Sequence, residues 1–162
     1  MVEVKIDAIR VTMMGSRAVI LKDAESNRYL SIWIGEIEAN SISVQLQGFS
    51  LARPITHDLI VNIVRDMGAS VRHVVVCDMR EETYYARILI VNRDGKELNI
   101  DSRPSDAIAI AVRCDCPIYV EDEIMDKHSL IPAEETASLA DDDIGAFKDF
   151  LGSLDLDDLD KK

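Results

Sequence analysis

The spacing of short turns between β-patterned runs constrains this chain more than any other feature. Val2 to Met14 alternates with a change of phase: Val2, Val4 and Ile6, then Ile9, Val11 and Met13. That pattern predicts a strand with a bulge near Ala8. Gly15-Ser16 turns the chain into a second run, Arg17 to Asp23, and Glu25-Ser-Asn-Arg28 turns it into a third, Tyr29 to Ile34. A parallel crossover needs about a dozen residues, so turns this short predict an antiparallel meander.

The signature returns later in the chain. Ser70 to Met79 and Thr83 to Asn92 flank the tight Arg80-Glu-Glu82 turn, and Asp94-Gly95 precedes Lys96 to Ile100. A hairpin extended by a third strand is expected. Pro117 to Val120 reads as a last short strand. Between the strand groups the period becomes helical. Ala39, Ile42, Leu46 and Phe49 share one face of a helix over Glu36 to Gly48. Thr56 is placed to cap a helix from His57 to Met67, with Leu59, Ile60, Ile63, Val64 and Met67 on its buried side and Gly68 as its stop. Ser105 is placed to cap Asp106 to Arg113, which is apolar nearly all round and so predicted to be buried. The fold class is therefore α+β, a single compact domain of mostly antiparallel sheet with helices packed on one side.

Length and charge bound the rest. A chain of 162 residues, 48% hydrophobic, supports one core and not two full domains. Residues 1–130 are expected to form that domain and 131–162 an acidic tail, with a peripheral helix over Leu139 to Leu151. Of the net charge of −12, residues 121–162 carry −10 and residues 1–120 only −2. A nearly neutral body can present a local basic patch, but no Lys/Arg stripe with interleaved aromatics marks a tight nucleic-acid binder. The apolar run Ala107 to Val112 is far shorter than the roughly 20 residues of a membrane span, so no membrane partner is expected. The N-terminus lacks a signal-peptide pattern, and three cysteines suit a reducing compartment; a cytoplasmic location is expected. Cys114-Asp-Cys116 has no second ligand pair for zinc.

Two helix starts share one build, Arg53-Pro-Ile-Thr-His-Asp58 and Arg103-Pro-Ser-Asp106, the latter preceded by Asp101-Ser102. Proline, a hydroxyl residue and an early aspartate suit any helix start, which is the structural explanation. A chemical one is also available if the two starts converge. Free N–H groups and the guanidinium groups of Arg53 and Arg103, with Thr56 and Ser105 beside them, are suited to phosphate. Asp58, Asp101 and Asp106 are candidate ligands for Mg²⁺ or Mn²⁺, and His57 a candidate acid/base near neutral pH. These are parts for metal-assisted phosphodiester hydrolysis, with no organic cofactor. Glu36 and Glu38, just after Gly35, are weaker candidates, Glu38 being counted with the catalytic residues, and both also suit the first turn of a helix as dipole-favourable solvent residues; Trp33 is expected in the core or at an interface rather than as a base-stacking platform. No phosphate-binding P-loop, dinucleotide fingerprint, HExxH or GxSxG motif is present.

At these residues the sequence resembles the bifunctional nuclease family, found in bacteria and plants. Leu30-Ser-Ile-Trp-Ile-Gly35 followed by Glu38-Ala39, Arg53-Pro-Ile-Thr-His-Asp-Leu59, Asp101-Ser-Arg-Pro-Ser-Asp-Ala-Ile108 continuing to Arg113, and Pro117-Ile-Tyr-Val120 carry the resemblance. It implies a nuclease of low sequence specificity acting on DNA and RNA, a compact α+β fold and a dimer. The positions in its motifs are Glu38, Arg53, His57, Asp58, Asp101, Arg103 and Asp106. The acidic end shows no match to the UvrB/UvrC-like motif that some members carry. A C2 homodimer is also expected because meander edges leave strand groups unpaired, the Trp33 strand among them. The alternative to catalysis is a binding or regulatory module that holds an anionic ligand or partner at the Arg-Pro helix starts.

Overall fold

The meander forms as its turns require. In the computed structural model, whose described residues are 1–131, β1 (Val2–Val11), β2 (Arg17–Asp23) and β3 (Tyr29–Ile34) pair antiparallel in sequence order. The β1–β2 register slips between Ile6 and Ala8, where the hydrophobic phase changes. β4 (Ser70–Arg80), β5 (Thr83–Val91) and β6 (Glu97–Ser102) form the second antiparallel group. Their hairpin turn holds Glu81 and Glu82 at φ of 47° and 60°, the left-handed conformation that a two-residue hairpin loop imposes.

β7 (Ile118–Val120) joins the two groups. It pairs antiparallel with β1 and parallel with β4, producing one seven-stranded sheet of order β3-β2-β1-β7-β4-β5-β6. Three residues in mid-sheet, Ile118 and Val120 buried and Tyr119 partly so, carry no usable period, so sequence patterning shows the strand but not the join.

Four helices complete the unit: α1 (Glu36–Leu46), α2 (Thr56–Asp66), α3 (Pro104–Cys114) and α4 (Asp122–His128). α3 packs against α1, α2, β4 and β5, and Ala107 through Ala111 are buried without interruption. Its alanines let neighbouring elements approach closely, while Ile108 and Ile110 fill the core with Val19, Leu21, Leu30, Ile42, Val74 and Val76. None of the helices among the described residues is long and apolar enough to cross a membrane. The helix expected over 139–151 lies outside the described residues.

Two expectations are corrected. α2 turns His57 inward, with Val61 packed on the core, and leaves Leu59 (54%), Ile63 (49%) and Met67 (71%) exposed, with Ile60 beside them. Its apolar arc is wider than the strip that α3 covers, so periodicity alone mistook outward residues for core. The helix caps also differ. Ile55 and Arg103 occupy the N-cap positions, without side-chain capping bonds, and Thr56 and Ser105 fall inside the helices. Pro104 takes the first helical position, where its missing N–H costs nothing.

Candidate active site

The two Arg-Pro helix starts meet. α3 runs beneath α1 and α2, which brings the beginnings of α2 and α3 together although His57 and Asp106 are 49 residues apart. His57 Nε2 lies 3.2 Å from Asp106 Oδ1, and its Nδ1 lies 2.9 Å from the hydroxyl of Ser41 on α1. Arg113, in the last turn of α3, donates to Ser41 Oγ at 3.0 Å and to the Ser41 carbonyl at 3.2 Å. Its Nε donates to Asp58 Oδ1 at 2.6 Å and its Nη1 to the Ala109 carbonyl at 2.8 Å.

The ring-nitrogen roles depend on the tautomer: with Nε2 protonated, His57 donates to Asp106 and its Nδ1 accepts from the Ser41 hydroxyl, whose oxygen also accepts from Arg113. On the far side Arg103 grips Asp106 with two N–H groups, Nε to Oδ2 at 2.8 Å and Nη2 to Oδ1 at 3.1 Å. Arg103 Nη2 also reaches Glu38 Oε1 at 2.7 Å. One hydrogen-bonded chain thus runs Asp58–Arg113–Ser41–His57–Asp106–Arg103–Glu38, from a buried end to a solvent end. Arg113 is 5% exposed and Arg103 67%.

Electrostatics follow from that placement. Burial pushes the Asp106 carboxyl up, but bonds from Arg103 and His57 outweigh it and hold the group below its ordinary range. At Asp58 burial is likewise outweighed, by the Ile55 N–H at 2.9 Å and by Arg113. Both carboxylates are ionised at neutral pH. Gly35 has a defined role at the solvent end: a Cβ there would sit 2.2 Å from Glu38 Oε2. The glycine preceding α1 therefore lets Glu38 fold back to reach Arg103.

Of the residues singled out by sequence, the structure gathers Glu38, His57, Asp58, Arg103 and Asp106 into this chain. Ser105 is buried at the start of α3. Arg53 and Thr56 are exposed before and at the start of α2, and Arg53 makes no ion pair among the described residues. Asp101 is exposed on β6, opposite Arg87 of β5, and takes no part in the chain. Sequence reasoning missed Ser41 and the role of Arg113. A lone arginine closing an otherwise apolar helix was the available signal, since a buried guanidinium requires a carboxylate.

The three candidate carboxylates are engaged differently in this arrangement. Asp58 is taken by Arg113, Asp106 by Arg103 and His57, and Asp101 lies apart. Among the described residues no three or more His, Cys, Asp or Glu side chains are placed to hold an ion.

Comparison with known proteins bears on what such a site does. Residues 19–132 match the family model described as the bifunctional nuclease domain. The chain is 37% identical over 162 residues to an uncharacterized protein of Mycobacterium tuberculosis, covering 96% of each. It is 33% identical over 106 residues to Bifunctional nuclease 1 of Arabidopsis thaliana, and 29% identical over 124 residues to Bifunctional nuclease 1 of Oryza sativa subsp. japonica. Those matches cover 64% and 75% of this chain, but only 33% and 38% of the plant proteins.

Proposed function

Because the chain belongs to the bifunctional nuclease family, we propose that it hydrolyses DNA and RNA phosphodiesters with low sequence specificity at the joined starts of α2 and α3. The observation that carries this reading is the linkage of both Arg-Pro motifs through His57 and Asp106 at 3.2 Å. Arg103 is exposed yet held in place by Asp106 and Glu38, and its Nη1 has no protein acceptor among the described residues. A fixed guanidinium with free donors suits a phosphate oxygen. Ionised Asp106 orients the attacking water, and the His57–Ser41–Arg113 relay fixes its position. The water oxygen bonds to phosphorus as its proton passes to solvent, the ester P–O bond breaks, and the departing oxygen takes up a proton from solvent. Mg²⁺ or Mn²⁺ remains part of the proposal as a tested variable, with no step routed through it.

One observation favours a second reading. Arg113, Asp58, Arg103 and Asp106 are all engaged in internal ion pairs, as expected of a non-catalytic module that holds an anionic ligand or partner. Purified protein incubated with single-stranded and duplex DNA and RNA, in Mg²⁺, Mn²⁺ or chelator, separates the two. Cleavage that Asp106→Asn abolishes supports hydrolysis. Equal cleavage by wild type and variant identifies a contaminant and leaves the binding module.

We also propose a cytoplasmic C2 homodimer. The three free thiols support the compartment. The outward stripe Leu59, Ile60, Ile63 and Met67, with Leu46, Phe49 and Leu51 just before it, supports the dimer. Exposed large apolar side chains gathered on one helix face are a common mark of a protein–protein contact. The edge of β3 is a poorer dimer surface, because Leu130 already bridges Tyr29.

A further inference from the structure

Among the described residues β6 is a bare edge of the sheet. It pairs with β5 on one side and has no strand on the other. The opposite edge differs, since Leu130 bridges Tyr29 of β3. Natural sheets blunt a free edge with proline, lysine or a bulge. β6 reads Glu-Leu-Asn-Ile-Asp-Ser over Glu97–Ser102, without proline or lysine, and its register with β5 has no slip. Every residue from Glu97 to Asp101 is exposed. Hydrolysis leaves this edge unused, Asp101 included, although Asp101 directly precedes the second Arg-Pro motif.

The ladder fixes which backbone groups are free. In an antiparallel pair, residues alternate between exchanging hydrogen bonds with the neighbouring strand and pointing away from it. At the β5–β6 turn the Asn92 N–H donates to the Lys96 carbonyl at 3.0 Å, so Lys96 faces β5. With an unbroken register, Leu98, Ile100 and Ser102 face β5 as well, and Glu97, Asn99 and Asp101 turn their N–H and C=O groups outward. Those groups find no backbone partner among the described residues. The side chains sort by the same alternation. Glu97, Asn99 and Asp101 share one face, which carries two exposed carboxylates. Leu98 (37% exposed) and Ile100 (45%) share the other, in register with Ile90 and Ile88.

We propose that β6 is a docking edge for an extended basic segment of a partner protein, which adds as an eighth strand with basic side chains toward Glu97 and Asp101 and apolar ones beside Leu98 and Ile100. Main-chain hydrogen bonds give such a contact its affinity, and the alternating side chains give it specificity. Charge selects against a second copy of the chain. β6 paired antiparallel with itself about Asn99 sets Glu97 against Asp101 twice, and like charges directly opposite repel. The net charge of −12 likewise favours a basic partner. β6 runs through Ser102 into Arg103, so a strand added here ends beside the candidate site. Docking at β6 does not depend on whether the chain hydrolyses nucleic acid.

The test uses a peptide patterned to the edge, Lys-Val-Thr-Val-Lys with blocked ends. It is titrated into the full, isotope-labelled chain and followed by amide NMR shifts and hydrogen exchange. One control peptide has proline for threonine, which keeps the charge but breaks the ladder, and a second has glutamates for the lysines. The expected result is shifts confined to β6 and its neighbours, slowed exchange at Glu97, Asn99 and Asp101, and no response to either control. A Glu97→Gln/Asp101→Asn variant is expected to bind the peptide about five-fold more weakly. Both positions are exposed, so its circular dichroism spectrum is expected to match wild type. An equal response to the proline peptide, undiminished binding by the variant, shifts away from β6, or no response to any peptide overturns the docking edge. Concentration-dependent changes at these amides without peptide assign the edge to a second copy and overturn the basic partner.

Discussion

His57 Nε2 of α2 and Asp106 Oδ1 of α3 lie 3.2 Å apart, and through this one contact the two Arg-Pro segments become parts of a single site. α3 is buried along its length, and α2 is laid across it with His57 turned inward.

The buried end of the chain is structural. Arg113 is almost fully enclosed and joins α1, α2 and α3 through Ser41, Asp58 and Ala109. Arg113→Ala leaves Asp58 without its cation and is expected to lower stability by about 3–5 kcal/mol. Urea unfolding followed by circular dichroism checks this, and a loss under about 1 kcal/mol would show the pair to be dispensable.

The solvent end depends on a missing side chain. Gly35→Ala places a Cβ against the Glu38 carboxylate, which can swing away but then releases Arg103. Thermal stability is expected to change little, while nuclease activity falls to the level of Glu38→Gln. Parallel assays of the two variants test this, since unequal losses would separate Gly35 from the Glu38–Arg103 contact.

Acid sensitivity also arises away from the site. The Ser26 hydroxyl, with the Glu25 N–H and Arg28, holds buried Asp23 down to about 2 against the opposing effect of burial. Arg28 carries this link on to Asp126 of α4. Because the folded value lies below that of an unfolded aspartate, about 3.9, the stabilisation is full above about pH 4 and is lost as pH falls toward 2. Asp23→Asn is expected to be less stable than wild type by about 1–2 kcal/mol at neutral pH, with the gap closing across that acid range. Unfolding at a series of pH values measures it.

The outward face of α2 predicts an oligomer. Ile63→Lys puts a charge in the middle of the exposed Leu59–Met67 stripe. Sedimentation at micromolar concentration is expected to show a dimer for wild type and a monomer for the variant, with the variant fold intact. A monomeric wild type would remove the dimer.

Local features were legible in the sequence and spatial ones were not. The bulge near Ala8, the meander and the wholly apolar α3 each follow from a period or a turn within one short segment. The fusion of two strand groups by β7 depends on partners far along the chain, which no local pattern records. The same division holds at the site. The repeated order of Arg-Pro, a hydroxyl residue and Asp exposed Arg103, Asp106 and His57, whereas Ser41 looked like any polar helix residue and becomes important only because Arg113 and His57 converge on it. Asp101 shares the motif in sequence but sits on β6, where strand direction carries its side chain away from the network.

That separation gives the most direct measurement. Asp106→Asn and Asp101→Asn are purified side by side with wild type and assayed on a single-stranded substrate under the conditions in which wild type cleaves fastest. A site built on the His57–Asp106 contact predicts a loss of about 100-fold or more for Asp106→Asn and an unchanged rate for Asp101→Asn. Equal rates for all three proteins, or a loss confined to Asp101→Asn, would contradict it.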